Sequence, residues 1–194
     1  MRIGVLALQG DFREHLQMLR RIGVDASEVR LPGDLAEVDG LIIPGGESTT
    51  IGKLLVTFAM MDDLRARVEE GFPVYGTCAG AIVLSKNVLD RGTDQPVLGL
   101  MDTTIRRNAF GRQVDSFEVD LPIAALGDPP FHAVFIRAPV IEEIGPGVEP
   151  LACLADGTVV AARQGNLLVT AFHPELTADG RFHQYFAQMV ERCQ

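Results

Sequence analysis

Pro73-Val74-Tyr75-Gly76-Thr77-Cys78-Ala79-Gly80-Ala81-Ile82-Val83-Leu84 is the stretch on which the reading of this chain turns. A short apolar strand, Pro73 to Gly76, runs into a tight turn, and an apolar helix from Ala79 to Leu84 leaves it. Gly76-Thr77-Cys78-Ala79-Gly80 has the Gly-x-nucleophile-x-Gly form of an elbow, with cysteine as the nucleophile. Small flanking residues are needed because the turn is sharp and the nucleophile sits in a strained conformation. The following helix aims its positive end at the turn, and such an end favours thiolate, the reactive form of cysteine. The plainer reading is a buried cysteine among small packing residues, and the strand–turn–helix setting weighs against it.

Working outward, apolar runs alternate with helical patterns on both sides of the elbow. Ile3 to Leu8, Val24 to Arg30 and Gly40 to Ile43 read as strands. Asp11 to Ile22 carries Phe12, His15, Leu16, Leu19 and Ile22 on one helical stripe, ended by Gly23. Pro32-Gly33 reads as a turn. Ser48 or Thr49 caps a helix to about Met60, and another follows to Glu70. Strands alternating with helices predict a parallel sheet covered on both faces. After about residue 90 the pattern changes. Thr103 to Arg107, Val114 to Val119, Ala133 to Ile136, Leu151 to Ala155, Thr158 to Gln164 and Leu167 to Ala171 read as strands without long helices between them. Asp156-Gly157 and Gly165-Asn166 are hairpin signals. Arg181 to Arg192 closes the chain as an amphipathic helix. The expectation is an α/β fold with antiparallel strands added in the second half, all within one domain over residues 1–194.

Composition narrows the function. The 194 residues are 47% hydrophobic and 22% charged, which suits a packed globular chain. The net charge of −9 argues against sequence-independent nucleic-acid binding, which needs a positive surface. No apolar run is long enough to span a bilayer, and the first ten residues turn polar too soon for a signal peptide. Cys78, Cys153 and Cys193 are odd in number and widely spaced, which disfavours a disulfide framework or a structural zinc site and points to the reducing cytoplasm.

A nucleophilic cysteine needs a base, and the base needs an orienting carboxylate. Ala171-Phe172-His173-Pro174-Glu175 supplies such a pair at a strand end, with proline fixing the intervening backbone. Alone, it reads better as a His–Pro turn that only ends a strand. His15, His132 and His183 are rival bases; the first and last fall in predicted helices and His132 precedes a strand. Pro44-Gly45-Gly46-Glu47-Ser48 follows the third strand, where consecutive glycines can turn N–H groups inward as an anion nest. In a parallel sheet this loop and the elbow share the carboxyl edge, where ligands bind. No GxGxxG follows the first strand. Arg106-Arg107-Asn108-Ala109-Phe110-Gly111-Arg112-Gln113 could hold a substrate carboxylate or form a solvated loop.

Taken together these segments resemble the class I (triad) glutamine amidotransferases, and more closely the PdxT/SNO family, the glutaminase subunits of pyridoxal 5′-phosphate synthase. The resemblance rests on Leu8-Gln9-Gly10-Asp11-Phe12, PGGEST at Pro44 to Thr49, GTCAG at Gly76 to Gly80, RNAFGRQVDSFE at Arg107 to Glu118, FIRAP at Phe135 to Pro139 and AFHPELT at Ala171 to Thr177. It runs from the first strand to the last, and RNAFGRQ with FIRAP is its most specific part. It implies a flavodoxin-like three-layer fold. It implies Cys78 as nucleophile, His173 as proton carrier and Glu175 as its orienter, with oxyanion donors at the Gly46 and Ala79 N–H groups. Gly46, Glu47 and Ser48 would line the glutamine site. Arg107, Ile136 and Arg137 would hold the α-amino and α-carboxylate end, and Gln9 would lie near the oxyanion strand and the partner interface.

The activity implied is hydrolysis of L-glutamine to glutamate and ammonia through a γ-glutamyl thioester, with no metal and no organic cofactor. Ammonia released into bulk water would be protonated and lost, so the resemblance implies a separate (β/α)8-barrel synthase subunit as partner. Neither nucleic acid nor membrane is expected. The alternatives are the glutaminase subunit of imidazole glycerol phosphate synthase, an intracellular cysteine peptidase on a similar sheet, and a non-catalytic binding module. RNAFGRQ and FIRAP disfavour the first. The second leaves His173-Pro174-Glu175 and the arginines unexplained. The third leaves an intact Cys/His/Glu set without a role.

Overall fold

The computed structural model describes residues 1–90, 94–107 and 116–193. Its strands are β1 (Arg2–Leu6), β2 (Asp25–Val29), β3 (Gly40–Ile43), β4 (Val74–Thr77), β5 (Ser85–Leu89), β6 (Met101–Arg106), β7 (Ser116–Leu121), β8 (Phe131–Ile136), β9 (Val140–Ile144), β10 (Glu149–Cys153), β11 (Val159–Gln164) and β12 (Leu167–Thr170). The helices are α1 (Phe12–Arg21), α2 (Pro32–Leu35), α3 (Ser48–Thr57), α4 (Met61–Glu69), α5 (Ala79–Leu84) and α6 (Arg181–Arg192).

The main sheet runs β2-β1-β3-β4-β12-β11-β9-β6-β5, with β10 also paired to β11. Its first five strands are mutually parallel. From β12 onward the pairings turn antiparallel, apart from the parallel β5–β6 edge. β7 and β8 form a separate antiparallel ribbon.

Side chains alternate across a strand with period two, so one strand feeds two cores. Leu41, Ile43, Val74, Leu167 and Val169 enter the core packed by Ile51 and Leu55 of α3, Leu64 of α4 and Ala81 of α5. Ile42, Tyr75 and Leu168 enter the opposite core, packed by Leu16 and Leu19 of α1, Phe182 and Phe186 of α6, and Phe131 and Phe135 of the ribbon. This is the three-layer α/β arrangement expected from the sequence. Because β3, β4 and β12 are central and buried along their length, the loops leaving their carboxyl ends stand on a rigid base.

Several expectations are corrected. Pro32-Gly33 opens the short helix α2 rather than a plain turn, with proline at its first position. The cap of α3 is Glu47, not Ser48 or Thr49: its carboxylate accepts the N–H groups of Thr49 at 3.2 Å and Thr50 at 2.7 Å. His132 lies inside β8 rather than ahead of it. Two strands, β5 and β9, have no counterpart in the sequence reading. Glu142 and Glu143 interrupt the apolar pattern of β9, and they are accommodated because Arg106 and Thr104 on β6 hydrogen-bond them. β5 follows α5 directly, with no glycine or proline to mark the change. The expected strand Val114 to Val119 begins at Ser116 among the described residues; positions 114 and 115 lie outside them, as do 108–113 of the arginine-containing loop. No described helix is long and apolar enough to cross a membrane.

Candidate active site

Cys78 sits where β4 stops and α5 begins, with φ 48° and ψ −102°. A non-glycine residue there is strained, and the surrounding packing has to hold it. Its N–H donates to the Thr170 carbonyl at 2.8 Å, which ties the elbow to β12. The flanking glycines are required by close approach. A Cβ on Gly76 would stand 2.8 Å from the Ala81 nitrogen, and one on Gly80 would run into the Ile43 carbonyl. The helix can therefore leave the elbow directly against the ends of β3 and β4.

His173 leaves β12 with its N–H donating to the Val134 carbonyl at 2.9 Å, a link to the ribbon. Its Nδ1 lies 2.6 Å from Glu175 Oε1. Pro174 starts the single helical turn that carries Glu175, so the two side chains face each other across one proline. Burial opposes a charge on His173, but hydrogen bonds to Cys78 and Glu175 and the attraction of Glu175 outweigh it. The imidazolium is pushed up to about 10. Burial raises the Glu175 carboxyl from its ordinary range, and the hydrogen bond from His173 offsets only part of that. The two shifts share a cause in part: a buried carboxylate with one strong partner helps hold that partner's proton and still lacks solvation itself.

The loop after β3 lies opposite. Gly46 has φ +153° and packs against Gln9 and Gly10; a Cβ there would stand 3.0 Å from the Gly10 Cα. Gln9 Oε1 accepts the Glu47 N–H at 2.7 Å, and the Asp11 N–H donates to the Gly45 carbonyl at 3.1 Å. The β1–α1 loop thus braces the β3–α3 loop. Gly45 leaves room for the His173 ring, since a Cβ there would stand 3.0 Å from Nδ1. Burial disfavours the Glu47 carboxylate, but the Thr50 and Thr49 hydrogen bonds outweigh it and hold the group below its ordinary range.

These elements surround a cavity of about 320 Å³ lined by Asp11, Gly46, Glu47, Ser48, Cys78, Ala79, Ile82, Arg107, Ile136, Arg137 and His173. Residues from the elbow, the β3 loop, the ends of β6 and β8 and the end of β12 therefore converge. Glu175 stands behind His173, and Gln9 stands behind Gly46 and Glu47. Arg107 is already engaged: it donates to Gln95 Oε1 at 2.7 Å and Glu47 Oε1 at 3.2 Å, while Gln95 Nε2 donates to Ser48 Oγ at 3.1 Å. Arg137 follows β8 with φ 45°, a second non-glycine residue in the left-handed region at this cavity.

Of the rival bases, His132 lies on the exposed face of the ribbon between Asp120 at 2.7 Å and Glu118 at 2.9 Å. His15 and His183 are buried and lie outside the cavity wall, on the far side of Glu175. Asp11 and Gln95 were missed by the sequence reading. Asp11 could have been found, because it is two residues from Gln9 on the same loop; Gln95 carries no local signal. Asp11, His173 and Glu175 offer ligand atoms within 4.8 Å of one another, but the Glu175 hydrogen bond already occupies His173 Nδ1. Cys153 and Cys193 are exposed free thiols away from the cavity lining.

Comparison with known proteins gives a consistent result. The chain is 63% identical over 189 residues to the pyridoxal 5′-phosphate synthase subunit PdxT of Roseiflexus sp. (strain RS-1), covering 97% of this chain and 100% of that protein. It is 60% identical over 190 residues to the PdxT subunit of Moorella thermoacetica, covering 98% and 100%. A crystal structure described as a glutamine amidotransferase superposes with a TM-score of 0.92 at 53% identity, covering 97% of this chain and 98% of that one. A family model, described as the SNO glutamine amidotransferase family, matches residues 5–192. The chain belongs to the SNO glutamine amidotransferase family.

Proposed function

We propose that this chain is the glutaminase subunit of a pyridoxal 5′-phosphate synthase, a single amidotransferase domain over residues 1–194 that works in the cytoplasm. The observation that carries the reading is one cavity that joins Cys78 and His173, backed by buried Glu175, to Arg107 and Arg137. A thiol nucleophile with a buried histidine–carboxylate pair performs acyl transfer, and two guanidinium groups suit a substrate with a free carboxylate.

Cys78 Sγ attacks the side-chain amide carbon of L-glutamine as the thiolate, its proton carried on the His173 imidazolium. The tetrahedral oxyanion is met by the N–H groups of Gly46 and Ala79. Ala79 opens α5, so its N–H has no helical carbonyl to bond. His173 returns its proton to the leaving nitrogen, ammonia departs, and a γ-glutamyl thioester remains. Water, deprotonated by His173, attacks the thioester; glutamate leaves and the thiol is restored. Glu175 keeps Nδ1 protonated and aimed, so that Nε2 faces the chemistry. Gly46, Glu47 and Ser48 bound the glutamine side chain, and Arg107, Ile136 and Arg137 bound its α-amino and α-carboxylate end. The reaction needs no metal and no organic cofactor.

Ammonia is useful to a synthase only if delivered before protonation, and the relatives' names place them as subunits of pyridoxal 5′-phosphate synthase. The proposed partner is accordingly the (β/α)8-barrel synthase subunit. Gln9, which holds the Glu47 N–H, is where docking on the neighbouring surface would reach the oxyanion loop. The test is glutamate release from L-glutamine by the purified chain, alone and with that barrel subunit. Release that rises sharply with this barrel is expected. Intact glutamine in both samples would overturn the reading, and activation only by the barrel of imidazole glycerol phosphate synthase would reassign the partner.

A further inference from the structure

Behind the triad lies a second polar layer that the reaction as derived does not use. His15 of α1 and His183 of α6 are both fully buried, and His15 Nδ1 lies 2.9 Å from His183 Nε2. On its other edge, His15 Nε2 lies 3.1 Å from Thr77 Oγ1 and 3.4 Å from Glu175 Oε2. Glu175 Oε2 and His183 Nδ1 are the two buried side-chain atoms left without a hydrogen-bond partner among the described residues. A buried orphan donor or carboxylate oxygen is costly, so the arrangement of protons matters.

Only two arrangements are open to a neutral pair. If His15 carries its proton on Nδ1, it donates to His183 Nε2. His183 Nδ1–H is then a buried donor with nothing to accept it, and the His15 Nε2 lone pair accepts from the Thr77 hydroxyl, which leaves Glu175 Oε2 without a donor. If His15 carries its proton on Nε2, His183 Nε2–H donates to His15 Nδ1. The orphan is then only a bare lone pair, and the His15 Nε2–H points into the gap between Thr77 Oγ1 and Glu175 Oε2. The second arrangement removes both faults. Both rings are neutral near pH 7: burial holds His15 well below its ordinary value, and burial with the nearby Arg21 guanidinium pushes His183 down to about 3.

We propose that His15, locked in its Nε2–H form by His183, is a positioning residue whose N–H, 3.1 Å from Thr77 Oγ1 and 3.4 Å from the otherwise unpartnered Glu175 Oε2, keeps that carboxylate ionised and aimed at His173. This rests on the glutaminase reading for its consequence in rate, but not for its tautomer. The other groups facing this layer are His173, Asp11, Thr77 and Tyr75, with Arg21 on α1. Asp11 and Tyr75 interact with Glu175 by charge, and Arg21 acts on His183.

The test has two parts. In the 15N-histidine-labelled wild-type chain, long-range 1H–15N correlation spectra read each tautomer directly. A neutral His15 protonated on Nε2, with His183 also protonated on Nε2, is the expected result. His15 protonated on Nδ1, or charged at pH 7, overturns the proposal whatever the enzyme does. In the glutaminase assay with the barrel subunit present, His15→Leu is expected to lower kcat about 10–100-fold, the size expected for loss of a donor to a buried charged group. KM for glutamine should stay within about twofold. Removing the donor makes Glu175 harder to ionise, so the acid limb of the kcat profile should move to higher pH. His15→Gln, which keeps an N–H donor, should recover most of the rate and the original limb. A uniform loss with an unmoved pH profile, or no rescue by glutamine, would reduce His15 to a packing residue. A wild-type chain inactive on glutamine, with the tautomers as expected, would sink the glutaminase reading and leave the proton arrangement standing.

Discussion

Replacing Cys78 with alanine should lower glutamine hydrolysis by about 10⁴-fold or more while the chain still folds and still binds its synthase partner. The size follows from the chemistry: no other thiol lines the cavity, so no thioester can form. Folding should survive because the side chain is small and only 7% exposed, and alanine leaves little void. The backbone at position 78 stays strained in the variant, so its restraints are still needed: the Thr170 carbonyl and the two flanking glycines. Glutamate release and co-elution with the barrel subunit measure the two halves. Retained hydrolysis would remove Cys78 from the reaction, and loss of co-elution would mean that the elbow also shapes the docking surface.

Glu175→Gln should cost about 10⁴-fold in kcat, as expected when a histidine loses the carboxylate that fixes its tautomer. The fold should be kept, since a neutral amide of the same shape replaces a buried charge whose desolvation is only partly offset. The change also has a pH signature with a defined sign. In the wild type the His173 cation is favoured by both Cys78 and Glu175, against burial, and titrates at about 10. A raised value in the folded state contributes stability that is fully present below the ordinary histidine value and is lost as pH rises through about 10. Without the carboxylate the His173 titration should move down, so the alkaline loss, which starts at the ordinary histidine value in both proteins, should be smaller and complete at lower pH. Thermal melts across pH and histidine NMR titrations check it. An unchanged His173 titration with full activity would take Glu175 out of the mechanism.

The sequence revealed the parts of the site that depend on local patterns. The elbow was legible because a nucleophile between glycines needs those glycines for backbone clearance, and the structure shows the clearance at Gly76 and Gly80. The HPE pair was legible because two residues across a proline have few relative orientations. The central sheet was legible from the short apolar runs at Leu41-Ile42-Ile43 and Leu167-Leu168-Val169, and the hairpins from Asp156-Gly157 and Gly165-Asn166.

What stayed hidden depends on contacts between distant segments. His15 and His183 are 168 positions apart, and each alone looks like a helix residue facing a core. Gln95 reaches Ser48 and Arg107 only because its loop folds over α3. Glu47 was read as a substrate contact and is also the cap of α3, a double use that the glycine-rich loop conceals. β9 was missed because its two glutamates look like loop residues until β6 brings Arg106 and Thr104 beside them.

The central claim is covalent: glutamine passes through a thioester on one particular cysteine. Its most direct measurement is acid quenching of the chain during turnover of glutamine with the barrel subunit, followed by peptide mapping by mass spectrometry. A γ-glutamyl adduct confined to the peptide bearing Cys78, and absent after His173 has completed hydrolysis in a chased sample, is the expected result. Glutamate produced with the adduct on Cys153 or Cys193, or with rapidly quenched samples of both wild-type and Glu175→Gln protein carrying none, would contradict the account.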